Sequence, residues 1–509
     1  MKEENLRKFE LNKSILQDFD ALMSLRLDFV EELIVTEIDD ENKLLNIVGL
    51  CINVKTLVVK GDYRIKIDSI LANICKPELL TSLIVDNVKL PTNVKKLVSL
   101  QNILLNNVKF SNVGNFLQDI PKPEKITQIS LCNVDFGKNS IEILKRFKSL
   151  EFIYLDRIND CEFNSLKFLS ENKNLQKVVI KNNHIGIKEA NTLVSTECKK
   201  NVLVRIGEKD ILEINENNDC SITVSTDNLK CVTQKMNLCK IDTIKIIINE
   251  ENNIMANIKN LKKLRKGITI SVENISDLDI NELEEIKNNV SVNRIYIRDE
   301  IGEKTYPVNS YINIRNEIDN MIKDIDNDLT EAEKFLKVYR ILGENIEVDD
   351  LMEVAKTDIT KLENALKEKL CTSMMFARIL KYCLDCLKIE SKVIGGYHKD
   401  YDDYYMWNQV RIEDKWYNVD IVEDSAYIAK QGIFNSRVKN CLIEDEIFYK
   451  THTTTNKNAE EVLESYDKKL IRIHLNEIGI LKRIIDKIIK VFAYNKQLTL
   501  PGAKIENNK

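Results

Sequence analysis

Cys371 is the side chain whose type and setting best suit covalent chemistry. Leu370-Cys371-Thr372-Ser373 opens a run in which Met374, Met375, Phe376, Ile379, Leu380, Cys383 and Leu387 recur at helical spacing. A thiol in the first turn of such a helix would face unpaired backbone N–H groups and the positive end of the macrodipole, which favour thiolate. Thiolate attack on an acyl carbon also needs a proton carrier tuned near neutral pH. The chain has four histidines, His184, His398, His452 and His474. His398 stands in the loop Tyr397-His398-Lys399-Asp400-Tyr401-Asp402-Asp403-Tyr404, which could fold back over Cys371. His452 falls in Lys450-Thr451-His452-Thr453. Both also read as plain exposed loop residues, and Cys371 reads either as a nucleophile or as a packed thiol. The one CxxC, Cys383-Leu384-Asp385-Cys386, lies on a helix face with no second CxxC and no histidine at ligand spacing. It reads as two packed thiols, and no metal site or cofactor is expected.

The elements that would position this thiol follow at once. Ile389 to Gly396 reads as a strand, holding the only Gly-Gly pair in the chain. Tyr405-Met406-Trp407-Asn408-Gln409-Val410 and Lys415-Trp416-Tyr417-Asn418-Val419-Asp420 read as antiparallel strands joined by a turn at Glu413-Asp414. Both tryptophans and eight of the sixteen tyrosines lie between 382 and 449. These four ordered blocks resemble the transglutaminase-like (transglutaminase/protease-like) superfamily over about 335–455. The resemblance implies an α+β, papain-like domain and a Cys-His-Asp triad that transfers acyl groups from amides to water or to an amine. Carried over by position, Cys371 would be the nucleophile and Asp420 the orienting carboxylate. Trp407, Asn408 and Trp416 would line the cleft.

One position departs from the pattern. The family's histidine precedes the tryptophan by two residues, and here that residue is Tyr405. A phenol titrating near ~10 misses neutral pH by about three units, a deficit of ~4 kcal/mol in proton transfer. The resemblance therefore implies a domain with impaired triad chemistry, with His398 as a substitute base. Two readings stand. In one, an aromatic-lined cleft recognises a peptide without cutting it. In the other, a Cys371-dependent amidase, peptidase or transglutaminase uses a non-standard base.

The first three hundred residues are built differently. The pattern apolar-x-x-apolar-x-apolar starts at Val30, Val54, Leu80, Leu100, Ile126, Leu150 and Leu175, then more weakly at Asn201, Asp219, Thr243, Gly267 and Val292. Most steps are near 25 residues, a repeat-protein period. The fourth and sixth positions, such as Leu83 and Val85, have strand period and point one way. An Asn recurs seven positions after the anchor, at Asn87, Asn107, Asn133 and Asn182, where its amide can satisfy backbone groups as the strand turns. Helical stretches such as 140–150 and 163–175 link the strands. The pattern resembles the leucine-rich repeat family, and units that cannot bury a face alone must stack into a solenoid. Its outward strand positions, including Lys55, Thr56, Lys60, Asp86, Gln128, Tyr154, Asp156, Lys177 and Lys181, are mixed in sign and mostly polar. A protein or peptide partner is the class-level expectation for such a face.

The expected fold class is thus α/β. A 25–305 solenoid follows a 1–24 cap, and a 306–334 helical linker leads to the 335–455 domain and a 456–509 amphipathic helix and tail. That tail carries ten Lys/Arg against three Asp/Glu from 468 onward, so contact with an anionic membrane surface is one expectation and packing on its own domain another. A net charge of −5 gives no footprint for nucleic acid. With no apolar leader and no ~18-residue uncharged apolar run, the expectation is a cytoplasmic bacterial protein, unconventional export staying open. Fourteen glycines and six prolines in 509 residues exclude collagen-like or Gly-rich architectures.

Overall fold

The computed structural model describes residues 7–471, apart from 62–64, 110, 138–140, 162, 164–165, 207–209, 250–253, 350–353, 359, 401–403, 426–437, 456 and 470. The basic helix expected over 456–509 lies almost wholly outside the described residues, as do Tyr401, Asp402, Asp403 and His474. The chain forms two compact units, Met1–Thr269 with Asn289–Ser291, and Ile270–Asn288 with Val292–Lys509.

In the first unit, strands lie side by side in sequence order: β1 (Lys8–Leu11), β2 (Glu32–Thr36), β3 (Thr56–Lys60), β4 (Ser82–Asp86), β5 (Asn102–Asn106), β6 (Gln128–Asp135), β7 (Phe152–Asn159), β8 (Lys177–His184) and β9 (Lys199–Arg205). Neighbours pair in parallel from β1 to β9. The inward pair of each repeat, such as Leu83 and Val85 or Ile129 and Leu131, is buried to 0 % exposure. Strand alternation fixes this register, because a one-residue slip would turn both apolar rows outward.

The repeat asparagines stand just past β4 and β5 (Asn87, Asn107) and inside β6 and β8 (Asn133, Asn182). Asn87, Asn107, Asn133 and Asn182 have φ of 58°, 53°, 51° and 52°, the left-handed region that Asn tolerates better than most residues. Their amides run from unit to unit: Asn107 Nδ2 donates to Asp86 Oδ1 (2.9 Å), and Asn133 Nδ2 to Asn107 Oδ1 (2.8 Å). Asn182 Nδ2 donates to Asp156 Oδ1 (2.8 Å).

The 1–24 segment, expected as a cap, contributes β1, paired with β2. Other expectations change in this unit. The stretch 140–150 holds a 3-10 helix at Ile141–Arg146, and among the described residues of 163–175 the helix is five residues long, Lys167–Glu171. After β9 the regular order is interrupted by β10 (Ile211–Ile214), antiparallel to β9 and to β11 (Cys220–Ser225). Parallel pairing resumes from β11 to β12 (Thr243–Ile247); β13 (Gly267–Val272) straddles the boundary between the units. Asp156 is 6 % exposed, and was expected to face solvent. Its carboxylate accepts from Asn182 and from Arg157 Nη2 (3.2 Å). The outward face is also less polar than its edges suggest, because its central row carries Ile34, Val58, Ile84 and Leu104.

In the second unit, β14 (Val292–Asp299) and β15 (Gly302–Tyr306) form a hairpin. The 306–334 stretch, expected as a helical linker, holds a helix over Val308–Ile322, whose Tyr311 Oη donates to Ile275 O (2.7 Å). The next helix, Glu331–Asn345, starts at the capping box legible in the sequence: Glu333 N donates to Thr330 Oγ1 (3.3 Å) and Thr330 N to Glu333 Oε2 (2.9 Å). A helix at Leu362–Glu368 leads to β17 (Leu370–Cys371), which pairs with β16 (Glu347–Val348). Then come a buried helix, Ser373–Cys386, and a four-stranded antiparallel sheet. Its order is β20 (Lys415–Val419), β19 (Tyr404–Ile412), β18 (Ser391–His398), β21 (His452–Thr454).

Candidate active site

Cys371 is fully buried, but it is not in the helix. Its backbone belongs to β17, where Val348 is its cross-strand partner and Asp349 N donates to its carbonyl (3.0 Å). The helix begins two residues later. Thr372 is the N-cap, its side chain accepting from Met375 N, and Ser373 is the first helical residue. The expectation of a thiol in the first turn is therefore corrected: the hydroxyl of Ser373, 6 % exposed, stands there. A Thr-Ser pair directly before an apolar run is a cap signal, and it competes with the cysteine for the helix start.

The strands divide their side chains between two faces. On one, Met406 and Val393 pack with Ala377 of the helix, and Asn408 Nδ2 donates to Ala377 O (2.9 Å). On the other, Tyr405 and Trp407 project with the alternation of the strand and meet His398 and His452. Gly396 lies between them for a steric reason. A Cβ there would sit 2.1 Å from Thr453 O and 2.6 Å from Trp407 Cη2, so only glycine lets β21 pair with β18. That pairing sets His398 opposite His452, ring centroids 4.6 Å apart.

Asp420 is 1 % exposed and fully engaged. Its Oδ1 accepts from Val422 N (2.9 Å), and its Oδ2 accepts from the Tyr405 phenol (2.8 Å). The same Oδ2 lies 3.1 Å from His452 Nε2. His452 Nδ1 lies 2.9 Å from Thr451 Oγ1 and 3.2 Å from Phe448 O, and its ring stacks on Phe448 at 3.8 Å. Both ring nitrogens are thus occupied in either protonation state. A neutral ring accepts from Thr451 and donates to Asp420, and an imidazolium donates at both ends. His398 is placed likewise. Its Nδ1 accepts from Asp400 N (3.2 Å), and its Nε2 is 3.1 Å from Glu423 Oε1.

The carboxylate beside this group is unusual. Asp424 accepts from Tyr339 Oη (2.7 Å), Lys439 N (2.9 Å) and Asn440 N (3.1 Å), yet burial pushes its carboxyl up to about 7. Burial likewise raises Asp385 to about 6, even with Lys381 Nζ at 2.9 Å. Cys383 and Cys386 both have thiols raised by burial, Cys386 to about 12, as packed helix residues should.

Of the expected cleft residues, Trp407 and Asn408 are buried on opposite faces of the sheet. Trp416 is half-buried beneath Lys392 Nζ, 4.6 Å from its ring centroid. His452, read from the sequence as a loop residue, is the residue that reasoning underrated. The alternation His452-Thr453-Thr454 was the available signal of a strand. His398, Asp400 and Glu423 have ligand-type atoms all within 4.8 Å of one another. A cation taking the lone pair of His398 Nε2 would need the ring proton on Nδ1, where the Asp400 N–H already points.

Comparison with known proteins bears on this unit directly. The transglutaminase-like superfamily model matches residues 319–421, which span the helix, the strand pair and Asp420. Residues 319–421 are a transglutaminase-like domain. A transglutaminase crystal structure matches 22 % of this chain and 32 % of its own at 15 % identity, TM-score 0.19. A putative cysteine protease from Cytophaga hutchinsonii matches 21 % and 36 % at 15 % identity, TM-score 0.18. The chain spans about a third of the length of each. A leucine-rich repeat protein of Leptospira interrogans matches 57 % of this chain and 76 % of its own at 11 % identity, TM-score 0.30. No curated protein matches the sequence. Among the described residues, no helix is long and apolar enough to cross a membrane. The transglutaminase-like domain thus carries the candidate site, with its polar groups bonded mainly to one another.

Proposed function

We propose that this chain is a protein-interaction protein. Its repeat array binds a protein or peptide partner, and its transglutaminase-like domain acts as a recognition module that does not transfer acyl groups. The observation that carries this reading is the occupancy of Asp420 Oδ2 by the Tyr405 phenol and His452 Nε2, together with the engagement of both nitrogens of His452. A general base needs one nitrogen on its orienting carboxylate and the other directed at the nucleophile. The serine at the helix start and the cysteine in β17 support the same reading, since a serine is the weaker nucleophile there.

The test is turnover. Ammonia release from a glutamine-containing peptide, with and without a primary amine, is measured for the full chain and for Cys371→Ala and Ser373→Ala. The expected result is no release above the two variants. Thiol-dependent turnover lost in Cys371→Ala would overturn the reading. It would favour a cysteine-dependent amidase, peptidase or transglutaminase. One observation speaks for that second reading: His452 and Asp420, 3.1 Å apart, are the imidazole–carboxylate half of a triad. In that case His452→Ala would abolish the turnover.

A further inference from the structure

Gln409 of β19 and Asn418 of β20 are fully buried polar side chains that the candidate site does not use. They are cross-strand partners, and Gln409 Nε2 donates to Asn418 Oδ1 (3.0 Å) while Asn418 Nδ2 donates to Asp445 Oδ1 (2.7 Å). The outer ends of this network grip the segment that follows β21. Gln409 takes both backbone groups of Glu460: its Nε2 donates to Glu460 O (2.8 Å), and its Oε1 accepts from Glu460 N (2.8 Å). Asp445 takes both backbone groups of Val462: its Oδ2 accepts from Val462 N (3.0 Å), and its own N donates to Val462 O (2.9 Å). Residues 459–463 belong to no helix or strand, so these four bonds stand where a ladder would.

Side chains of this segment are engaged at alternate positions. Val462 is 2 % exposed, whereas Leu463 beside it is 80 % exposed. Glu460 is paired with Lys392, whose Nζ also lies 4.6 Å from the Trp416 ring centroid, and Glu464 is paired with Lys415. Backbone bonds give a groove affinity for an extended chain, and pockets for alternate side chains give it specificity. The pattern held here is acidic-x-apolar-x-acidic. Gln409, Lys392 and Lys415 are fixed in the sheet, so their contacts do not depend on which chain supplies that pattern.

Resting on the reading of this domain as a recognition module, we propose that residues 458–466 occupy, in place of a ligand, a groove in which the domain binds an extended partner segment of the pattern acidic-x-apolar-x-acidic. The partner's backbone would replace that of Glu460 and Val462 on Gln409 and Asp445. Its apolar residue would take the place of Val462, and its carboxylates would reach Lys392 and Lys415. A segment tethered in the same chain competes at an effective concentration in about the millimolar range, so it masks the groove until it is displaced. The groove uses neither Cys371 nor Asp420.

A fluorescein-labelled peptide of residues 457–467 tests this proposal, its Kd measured by fluorescence polarisation on the full chain. The chain is compared as wild type, as a Glu460→Lys/Glu464→Lys variant, and as that variant with Lys392→Glu and Lys415→Glu added, each first checked by thermal melting. Both glutamates are exposed, so their reversal should empty the groove without unfolding the domain. The expected outcome is weak binding to the wild type, at least tenfold tighter binding to the Glu460→Lys/Glu464→Lys variant, and loss of that gain once the lysines are reversed as well. A Val462→Asp peptide should bind at least tenfold more weakly. That comparison is repeated on the wild type, so it reports even if a variant unfolds. Equal binding to all three chains, equal binding of both peptides, or no binding at all would overturn the groove. Variant chains that pair with one another on size-exclusion chromatography and leave the peptide unbound would overturn a partner in favour of a second copy. Each of these failures leaves the non-catalytic reading standing, because ammonia release tests that reading separately.

Discussion

Tyr405, Asp420 and His452 meet on one carboxylate oxygen, and the consequences of that meeting are separable by substitution. Tyr405→Phe removes the donor at 2.8 Å but keeps the ring, so stability should fall by about 1–3 kcal/mol in urea titration. His452→Ala should cost more, about 3–5 kcal/mol, because it empties the buried space stacked on Phe448 and removes one of the groups on the Asp420 carboxylate. A reversed order would show that Tyr405, not His452, balances Asp420. The helix start gives a second expectation. Tyr405→His alone should produce no ammonia release from a glutamine peptide, since Ser373 holds the first helical position. Ser373→Cys combined with Tyr405→His should exceed both single variants, because only then do a thiol in the first turn and an imidazole at position 405 coexist.

Two elements depend on backbone features that few residues supply. Gly396 lets β21 approach β18, and Gly396→Ala must push Thr453 and Trp407 apart. Overpacking of this kind costs about 1–3 kcal/mol. The loss should also appear as faster amide exchange across His452–Thr454 than in β19. If exchange in β21 is unchanged, the glycine is not what admits that strand. In the repeat sheet, Asn133 combines a φ of 51° with a bond to Asn107. Asn133→Ala forfeits the bond and meets the left-handed penalty, about 2 kcal/mol together, while Asn133→Gly should recover part of it. Equal loss in both variants would assign the whole effect to the ladder.

At the scale of the whole molecule, pH is the lever that the buried carboxylates provide. Asp424 is raised from 3.8 to about 7, chiefly by burial, so the folded chain keeps a proton that the unfolded chain has released. Its contribution is complete below about pH 4 and is lost as pH rises through about 7. The shift corresponds to a loss on the order of 4 kcal/mol across that window. Asp385, raised to about 6, acts in the same direction. Melting temperature measured from pH 4.5 to 8 should therefore fall between pH 4.5 and about 7 more steeply in the wild type than in Asp424→Asn, and level off above it. Parallel curves would remove Asp424 as the cause. With two compact units present, such melts are read unit by unit and not as one two-state step.

Local chemistry made much of this protein legible in its sequence. The alternation Leu83/Val85 and its copies specified strands, because period two alone decides which side chains are buried. The recurrent asparagines marked a repeat position with φ near 50°, which Asn tolerates better than most residues, although Glu37 and Arg157 hold it in other repeats. Thr330 and Glu333 specified a helix start, and the four ordered blocks from the cysteine region to Asp420 specified a transglutaminase-like domain. The rest was decided only by tertiary structure. The helix began at Ser373 because Thr372 captured the cap and β16 captured Cys371 into a strand, a competition between a local bond and a partner 23 residues away. His452 became the partner of Asp420 because a glycine 56 positions earlier admits its strand. The apolar outward row emerged because strands about 25 residues apart fall into register, which no single repeat contains. Sequence determined what each segment could be; packing between distant segments decided which polar groups found partners and which apolar ones were left facing out.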